Sequence, residues 1–442
     1  MRIPKKPPNL QQTFAKMLEE GLDIVDAFAR IVPPEKYLHW DKLQYYTPPI
    51  DIKPEYWWLI IKLKRQSGYK NLPNQDTGGK PFVILTDVEP IAQRLHDIDL
   101  RAGGHIKMPE QIMNRDTRDQ YIVSSLIQEA ITSSQLEGAA TTRLVAKDML
   151  KSGRKPTDRS EQMILNNFET MQFITGLKDS VLTPRLVFEI HRRVTRDTLD
   201  EPSAAGRFRT DQEAVHIADP YGEVLHRPPS SDSLAERLQS LCDFANSDNE
   251  KHYIHPVLRS IVLHFWLAYD HPFVDGNGRT ARALFYWSML RNGYWLFEFV
   301  SISQVILKAP ARYEKAFLYT ETDDNDLTYF LLYHLDVIDK AVKMLHEYVD
   351  NKTKRLEALE KNLRGLAQLN IRQRLLISHA LKHPNHKYTF RSHQRSHNVA
   401  YQTSRLDLLN LEELGLLIKS KTGKTWHFTP SEDLESKIDK LV

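Results

Sequence analysis

The chain has 442 residues, 41% of them hydrophobic and 26% charged, at a net charge of +3. This is enough apolar material for two or three packed domains, and it weighs against disorder over most of the chain. A single cysteine, Cys242, excludes an internal disulfide framework or a cysteine-based zinc knuckle, and the most apolar stretch, IVLHFWLAY at 261–269, is too short to cross a bilayer.

In chain order, MRIPKKPPNLQQ lacks the apolar segment of a secretion signal, so the expected location is the cytoplasm, with no membrane partner. Residues 1–114 are rich in proline and aromatics (KYLHWDKLQYYTPP, PEYWWLIIKLKR) and read as a platform packed on a larger body. Over 115–351 the periodicity predicts helices. YIVSSLIQEAITSSQLEG, TTRLVAKDMLK, PTDRSEQMILNNFETMQFIT, TPRLVFEIHRRVTRD, HPVLRSIVLHFWLAYDH and GRTARALFYWSMLRNGY repeat apolar residues at helical spacing behind Ser, Thr, Asp or Pro starts. AVHIADPYGEVLHRPP, 214–229, breaks that rhythm and predicts a hairpin turning around Asp219-Pro220-Tyr221-Gly222.

A charged linker, 352–369, leads to a C-terminal unit, 370–442. Within it, 371–429 holds ten Lys/Arg against three Asp/Glu, so that stretch carries +7 and the remainder −4. Its predicted order is a helix (IRQRLLISHALKH), a short helix (TFRSHQRSH), a longer helix stopped by Gly415, and a hairpin turning at Thr422-Gly423. His379/His383 and His393/His397 have the spacing of helical metal pairs, but they read as solvated faces because neither HExxH nor further cysteines accompany them.

Residues 271–282, HPFVDGNGRTAR, gather a histidine, an acid, glycines flanking an asparagine, and two arginines. DGNG invites a calcium reading, yet an EF-hand wants an acid or amide, a glycine and a glutamate where this chain has Arg279, Thr280 and Tyr286. A P-loop fails as well, since TGKT at 422–425 has Ile418 in place of the earlier glycine. What remains is a loop that ends one helix at Asp270-His271-Pro272 and starts another near Asn277 or Gly278. Its glycines turn backbone N–H groups inward, and the new helix adds partial positive charge, which makes a phosphate nest. Arg279 and Arg282 can bridge phosphate oxygens, Asp275 can hold Mg2+, and His271 can take a proton near neutral pH. The set describes phosphoryl or nucleotidyl transfer to a hydroxyl with His271 as base.

The same residues carry a family resemblance. HPFVDGNGRTAR resembles the Fic signature, His-x-Phe-x-(Asp/Glu)-Gly-Asn-Gly-Arg-x-x-Arg, at every fixed position. HPVLRSIVLHFWLAYD resembles the preceding family helix, except that Asp270 stands where an aliphatic residue is common. The resemblance implies a mainly α fold: a Fic helical core with a β-hairpin flap that moves AMP from ATP onto a Ser, Thr or Tyr hydroxyl of a target protein and releases pyrophosphate. By it, His271 deprotonates the hydroxyl and Asp275 binds Mg2+. Gly276, Asn277 and Gly278 hold the α-phosphate, Arg279 the β-phosphate and Arg282 the γ-phosphate, while Phe273 points into the core. Gly276 replaces the Lys of Doc-type kinases in the superfamily, which weighs against plain phosphorylation.

SSQLEG places Ser133 and Glu137 on one helical face with Gly138 as C-terminal cap. It resembles the inhibitory motif (Ser/Thr)-x-x-x-Glu-(Gly/Asn) of the Fic subclass with an N-terminal inhibitory helix. Glu137 would pair with Arg282 and misorient ATP, or, as in some members, position a water that removes AMP. GRFRTDQEAVHIADPYGEVLHRPP resembles the flap, with Val215, His216 and Ile217 as the edge on which a target segment docks by strand addition. Tyr313 matches a tyrosine near the nucleotide. The C-terminal unit resembles a winged helix-turn-helix of the type appended to many bacterial Fic proteins. Tyr401, Gln402, Thr403 and Arg405 would then enter a DNA major groove while Lys419, Lys421 and Lys424 touch phosphates; protein docking or a homodimer is the other use of such a module. Self-modification, another nucleotide donor such as UTP or a choline-bearing nucleotide, AMP removal, and a DNA-binding regulator whose Fic core senses ATP all stay open.

Overall fold

The computed structural model describes residues 2–103, 115–213, 215–218, 222–247, 253–422 and 425–441, with backbone only over 115–123. Among them, strands occur only as three separate antiparallel pairs in a helical structure, and no helix is long and apolar enough to cross a membrane. The chain divides into two compact units, one over Met1–Gly104 and Ser125–Val342, the other over His105–Ser124 and Lys343–Val442.

The first unit opens with α1 (Leu10–Glu19) and α2 (Ile24–Arg30), which start at Asn9 and Asp23 because those side chains accept first-turn N–H groups. After α3 (Trp40–Leu43), α4 (Pro54–Gln66) buries Trp57, Trp58, Leu59, Ile60 and Ile61 against Met17, Trp40 and Leu43. The pair β1 (Lys70–Gln75) and β2 (Pro81–Ile84) and then α5 (Ile91–Ile98) follow. Several polar groups within this apolar mass are matched to one another. Lys62 Nζ lies 2.7 Å from Asp323 Oδ1, Arg65 Nη1 donates to the Tyr329 hydroxyl at 2.9 Å, and Tyr37 and Tyr69 both donate to Asp326 Oδ2, at 2.5 and 2.7 Å. Buried charge is tolerated only when paired and hydrogen-bonded, so this network pins the N-terminal segment to the 323–329 region of the same unit.

Beyond it come α6 (Arg115–Leu136), α7 (Arg143–Ser152), α8 (Arg159–Thr175) and α9 (Pro184–Val194). The expected hairpin is present as β3 (Ile217–Ala218) and β4 (Val224–His226), with Ile217 opposite His226 and Ala218 opposite Val224. Asp219, Pro220 and Tyr221 of its expected turn lie outside the described residues. α10 (Leu234–Asn246) precedes the centre of the unit, the helices α11 (Pro256–Asp270) and α12 (Asn277–Arg291), which are buried on nearly every side. That burial is why IVLHFWLAY reads apolar all round. α13 (Ile302–Ile306) and α14 (Pro310–Thr322) follow, and α14 carries Tyr313.

One boundary differs from expectation. Where a linker is expected over 352–369, α15 (Thr328–Gly365) continues unbroken for 38 residues. Of the charges of KTKRLEALEKNLRG, Lys352, Arg355 and Glu360 pair with Glu435, Asp439 and Lys382, while Leu356, Leu359 and Leu363 recur at helical spacing and are 7%, 0% and 2% exposed. Leu359 and Leu363 belong to the core of the second unit, which therefore starts well before residue 370.

That unit contains α16 (Ile371–Lys382), α17 (Phe390–His397), α18 (Tyr401–Glu413), β5 (Leu417–Thr422), β6 (Thr425–Pro430) and a further helix, α19 (Leu434–Leu441). Capping boxes at Asn370/Gln373 and Thr389/Ser392 fix two helix starts, and Gly415, at φ 70°, ends α18. Gly423 and Lys424 lie outside the described residues. His393 is not on a solvated face: it is buried, and its Nε2 lies 3.1 Å from Asp407 Oδ2, which Arg372 also holds. His379 Nδ1 lies 2.7 Å from the Tyr388 hydroxyl.

Candidate active site

The site begins where α11 stops. His271 takes a left-handed conformation, φ 45°, and its N–H bonds the Leu267 carbonyl at 3.0 Å. Its Nδ1 lies 3.3 Å from the Ala268 carbonyl, so Nδ1 carries the hydrogen and Nε2 keeps its lone pair. Burial lowers the pKa to about 4 against the opposing Ala268 contact, so the resting imidazole stays neutral well below pH 7 rather than titrating near neutrality. Arg209 fixes the backbone on which this imidazole sits. Its N–H donates to the Pro272 carbonyl at 2.9 Å, Nε to the His271 carbonyl at 2.8 Å, and Nη2 to the Pro229 carbonyl.

Asp270 has a physical account as well. Its buried carboxylate accepts from Trp266 Nε1 at 3.0 Å and from Arg237 Nε and Nη2 at 2.8 and 2.6 Å. Burial raises its pKa and Arg237 opposes the rise, so this acid is accommodated by a partner from α10.

The loop is closed from inside. Phe273 is fully buried and stacks on His191 at 3.7 Å between centroids, 12° from parallel. His191 Nδ1 accepts from Gly206 N–H at 2.9 Å, which leaves the hydrogen on Nε2 to bond the Asp275 carbonyl at 2.9 Å. Burial drops the His191 pKa to about 4 and keeps that neutral tautomer. Asn277 Oδ1 accepts from Phe273 N–H at 2.9 Å, and its Nδ2 donates to the Phe273 carbonyl at 2.8 Å. The side chain of Asn277 is thus occupied within the loop, leaving only its backbone N–H for a ligand, which narrows the phosphate role expected of it. Gly276 caps α12 at φ 81°, and a Cβ there would meet Thr195 Cγ2 at 2.6 Å.

Two arginines line the first turns of α12, each in its own way. Arg279 is fully buried and gives Nη1 to the Val194 carbonyl at 2.7 Å, while Nε and Nη2 have no hydrogen-bond partner among the described residues. Nη2 lies 3.5 Å from Asp275 Oδ2. A buried guanidinium with unused donors beside a helix N-terminus fits an anion, and a triphosphate has the charge to match. Arg282 is occupied. Its Nε donates to Ser133 Oγ at 2.8 Å, and its Nη2 to the Ser133 carbonyl at 2.9 Å and to Glu137 Oε1 at 2.8 Å.

Glu137 reaches this position because α6 ends beside it. Gly138, at φ 89°, turns the chain, and Ala139 N–H bonds the Ser134 carbonyl at 3.0 Å. A Cβ built on Gly278 would lie 2.1 Å from Glu137 Oε1, so the carboxylate rests directly against the first turn of α12. An acid at a helix C-terminus is mildly unfavourable; here Arg282 and the N-terminus of α12 offset it. Tyr313, on α14, receives or donates a hydrogen bond with His264 Nε2 at 2.9 Å and adjoins both Arg282 and Glu137.

Comparison with known proteins agrees with this geometry. Residues 181–289 match the Fic/DOC family. They form a Fic domain. The chain is 29% identical over 185 residues to protein adenylyltransferase Fic of Nematostella vectensis, covering 41% of this chain and 40% of that protein. It is 28% identical over 199 residues to protein adenylyltransferase fic-1 of Caenorhabditis elegans, with coverage of 44% and 37%. The chain thus spans about 40% of the length of the curated relatives it matches. In fold it is similar to a Fic family protein from Desulfovibrio desulfuricans, at a TM-score of 0.50 and 20% identity over 77% of this chain and 94% of that one.

In this Fic domain Asp275 is crowded. Its Oδ1 accepts from Gly276 N–H at 2.5 Å, and its Oδ2 lies 3.5 Å from Arg279 and 3.6 Å from Arg159, which also bonds Asp200. No group of three or more His, Cys, Asp or Glu gathers for a metal among the described residues. A Mg2+ would therefore have Asp275 as its one carboxylate, with phosphate and water completing the shell, an arrangement this ion accepts. On the hairpin, Val215 is half-buried, His216 and Ile217 are exposed, and β3 pairs only with β4 among the described residues. In the second unit, Tyr401, Gln402 and Arg405 are exposed at the start of α18 and Thr403 is half-buried. Lys419 and Lys421 lie over the Trp426 ring, at 4.7 and 5.3 Å. His191, Arg209 and Arg159 are the site residues that sequence reasoning missed; each sits far from the loop in sequence, and only Gly206-Arg207-Phe208-Arg209 is marked by a motif.

Proposed function

We propose that this protein is a Mg2+- and ATP-dependent protein adenylyltransferase restrained by its own Glu137. The observation that carries the reading is the Glu137 carboxylate lying against Gly278 and Arg282, beside an anion nest in which Arg279 keeps unused donors. In the transfer, the oxygen of a Ser, Thr or Tyr hydroxyl on the target bonds the α-phosphorus of ATP and its proton passes to His271 Nε2. The bond from that phosphorus to the bridging oxygen breaks, and pyrophosphate leaves with the electron pair. The N–H groups of Asn277 and Gly278, with Arg279, hold the phosphates in line. Asp275 would hold Mg2+, which would supply charge neutralisation on the phosphates. Arg282 serves the γ-phosphate once Glu137 has left it.

The exposed β3 edge is where an extended target segment would add as a strand, and serines, threonines or tyrosines of the protein itself are eligible acceptors. A second reading concerns the C-terminal unit. The exposed Tyr401, Gln402 and Arg405, with Lys419 and Lys421 nearby in sequence order on β5, favour a winged-helix module that contacts DNA. Salt-dependent binding of duplex DNA, lost in Arg405→Ala and Lys419→Ala/Lys421→Ala variants, tests it.

The transfer reading is tested by incubating the Glu137→Gly variant with ATP labelled at either the α- or the γ-phosphate. Label on protein from the α-position alone supports adenylyl transfer. Label from the γ-position would replace it with phosphorylation, and label from neither would remove ATP as donor.

A further inference from the structure

β4 ends at His226, a buried residue held from two sides. Its Nδ1 lies 2.8 Å from Glu321 Oε2 on α14, and its Nε2 lies 2.7 Å from the carbonyl of Tyr269 in the last turn of α11. A carboxylate and a carbonyl only accept, so both contacts are hydrogen bonds only when both ring nitrogens carry hydrogens. A neutral imidazole would leave one of them unmade in a buried place. The Tyr269 ring packs against the imidazole with centroids 4.6 Å apart. Among the described residues, β3 is two exposed residues long and meets β4 at two positions. An isolated two-stranded hairpin is marginal in water.

We propose that His226 is a positioning residue that latches the flap hairpin to the end of the helix bearing His271 and to α14, so that the docking edge at Val215–Ile217 keeps a fixed relation to the base. Its catalytic consequence rests on the adenylyl-transfer reading; the latch itself does not.

The groups facing His226 are Glu321 from α14, and Tyr269, Asp270 and His271 from α11 and its end, with Asp270 already paired to Arg237 of α10. Burial pulls its pKa down, but Glu321 and the Tyr269 carbonyl outweigh burial and raise it above the ordinary histidine value. A raised folded-state pKa means that the latch is complete below the ordinary value, about 6.5, and is lost as pH rises through the folded value.

The test is hydrogen exchange by mass spectrometry on the full chain, following peptides that span 215–227. Wild type, His226→Gln and Glu321→Gln are compared as protection factors, corrected for intrinsic rates, at about pH 6 and about pH 9. The latch predicts flap protection about tenfold lower in both variants at the acidic pH, unchanged protection in α11 and α12, and a wild-type flap that falls toward the variants at the alkaline pH. Equal flap protection in wild type and variants, wild-type protection that ignores pH, or loss of protection throughout α11 and α12 would each overturn it. In the Glu137→Gly background, His226→Gln should raise KM for the acceptor protein and leave ATP affinity unchanged. Absence of transfer in Glu137→Gly itself would strike the functional reading while the exchange result stands.

Discussion

Replacing Glu137 with glycine should change ATP binding in a way that depends on the γ-phosphate. Arg282 is 2% exposed and spends its Nη2 on the Ser133 carbonyl and on Glu137 Oε1, 2.8 Å away. A γ-phosphate that takes Nη2 of this guanidinium displaces Glu137, whose side chain is 26% exposed and so recovers part of its hydration when expelled. A hydrogen bond to a charged group is worth about 1.5–3 kcal/mol, which sets the cost of that exchange. In Glu137→Gly that cost disappears, and ATP affinity should rise by about 10- to 100-fold. ADP has no γ-phosphate and should gain little. Isothermal titration of both variants with ATP and with ADP, each with Mg2+, measures the difference between the two gains. Equal gains for ATP and ADP, or none for either, would refute the assignment of Arg282 as the contested group.

Further predictions concern the loop and the base. Gly276→Ala should lower the melting temperature, since it places a Cβ 2.6 Å from Thr195 Cγ2 at φ 81°; adding Thr195→Ser should recover the contact part and leave about 1–2 kcal/mol of backbone strain. Asn277→Ala leaves the Phe273 N–H and carbonyl unpaired in a buried loop, so it should cost about 2–4 kcal/mol by denaturant titration and abolish nucleotide binding, whereas a loss below about 0.5 kcal/mol would mean the loop closes without it. With burial holding His271 at about 4, the transfer rate in Glu137→Gly at saturating acceptor should be flat through neutrality and fall as pH drops through about 4; a midpoint near the ordinary histidine value under those conditions would contradict a buried, neutral base.

The loop is legible in the sequence because its groups are contiguous and their types dictate their geometry: His271-Pro272 cannot continue a helix, and Gly276 is the residue that tolerates φ 81° against Thr195. Its supports are not legible. His191, Arg209 and Arg159 come from separate elements, and no local spacing announces that they converge on the carbonyls of Asp275 and His271 or on the Asp275 carboxylate. Asn277 misleads in a different way, because an asparagine inside a glycine nest looks like a ligand contact while both its polar atoms are used on Phe273. The Ser133/Glu137 face is readable from helical spacing, but its partner follows only from the resemblance. In α15, charge density suggests a linker and conceals Leu356, Leu359 and Leu363, whose helical spacing is the stronger signal. α19 is signalled by Leu434 and Ile438 one turn apart, a short amphipathic pattern easily passed over after a hairpin.

The central claim is adenylyl transfer by His271 under restraint by Glu137. The most direct measurement follows α-labelled ATP onto protein for wild type, Glu137→Gly and Glu137→Gly/His271→Ala side by side, with circular dichroism to show that all three are folded. The account predicts weak labelling of wild type, strong labelling of Glu137→Gly and none of the double variant. Equal labelling of wild type and Glu137→Gly would contradict the restraint, and labelling that survives loss of His271 would contradict the base.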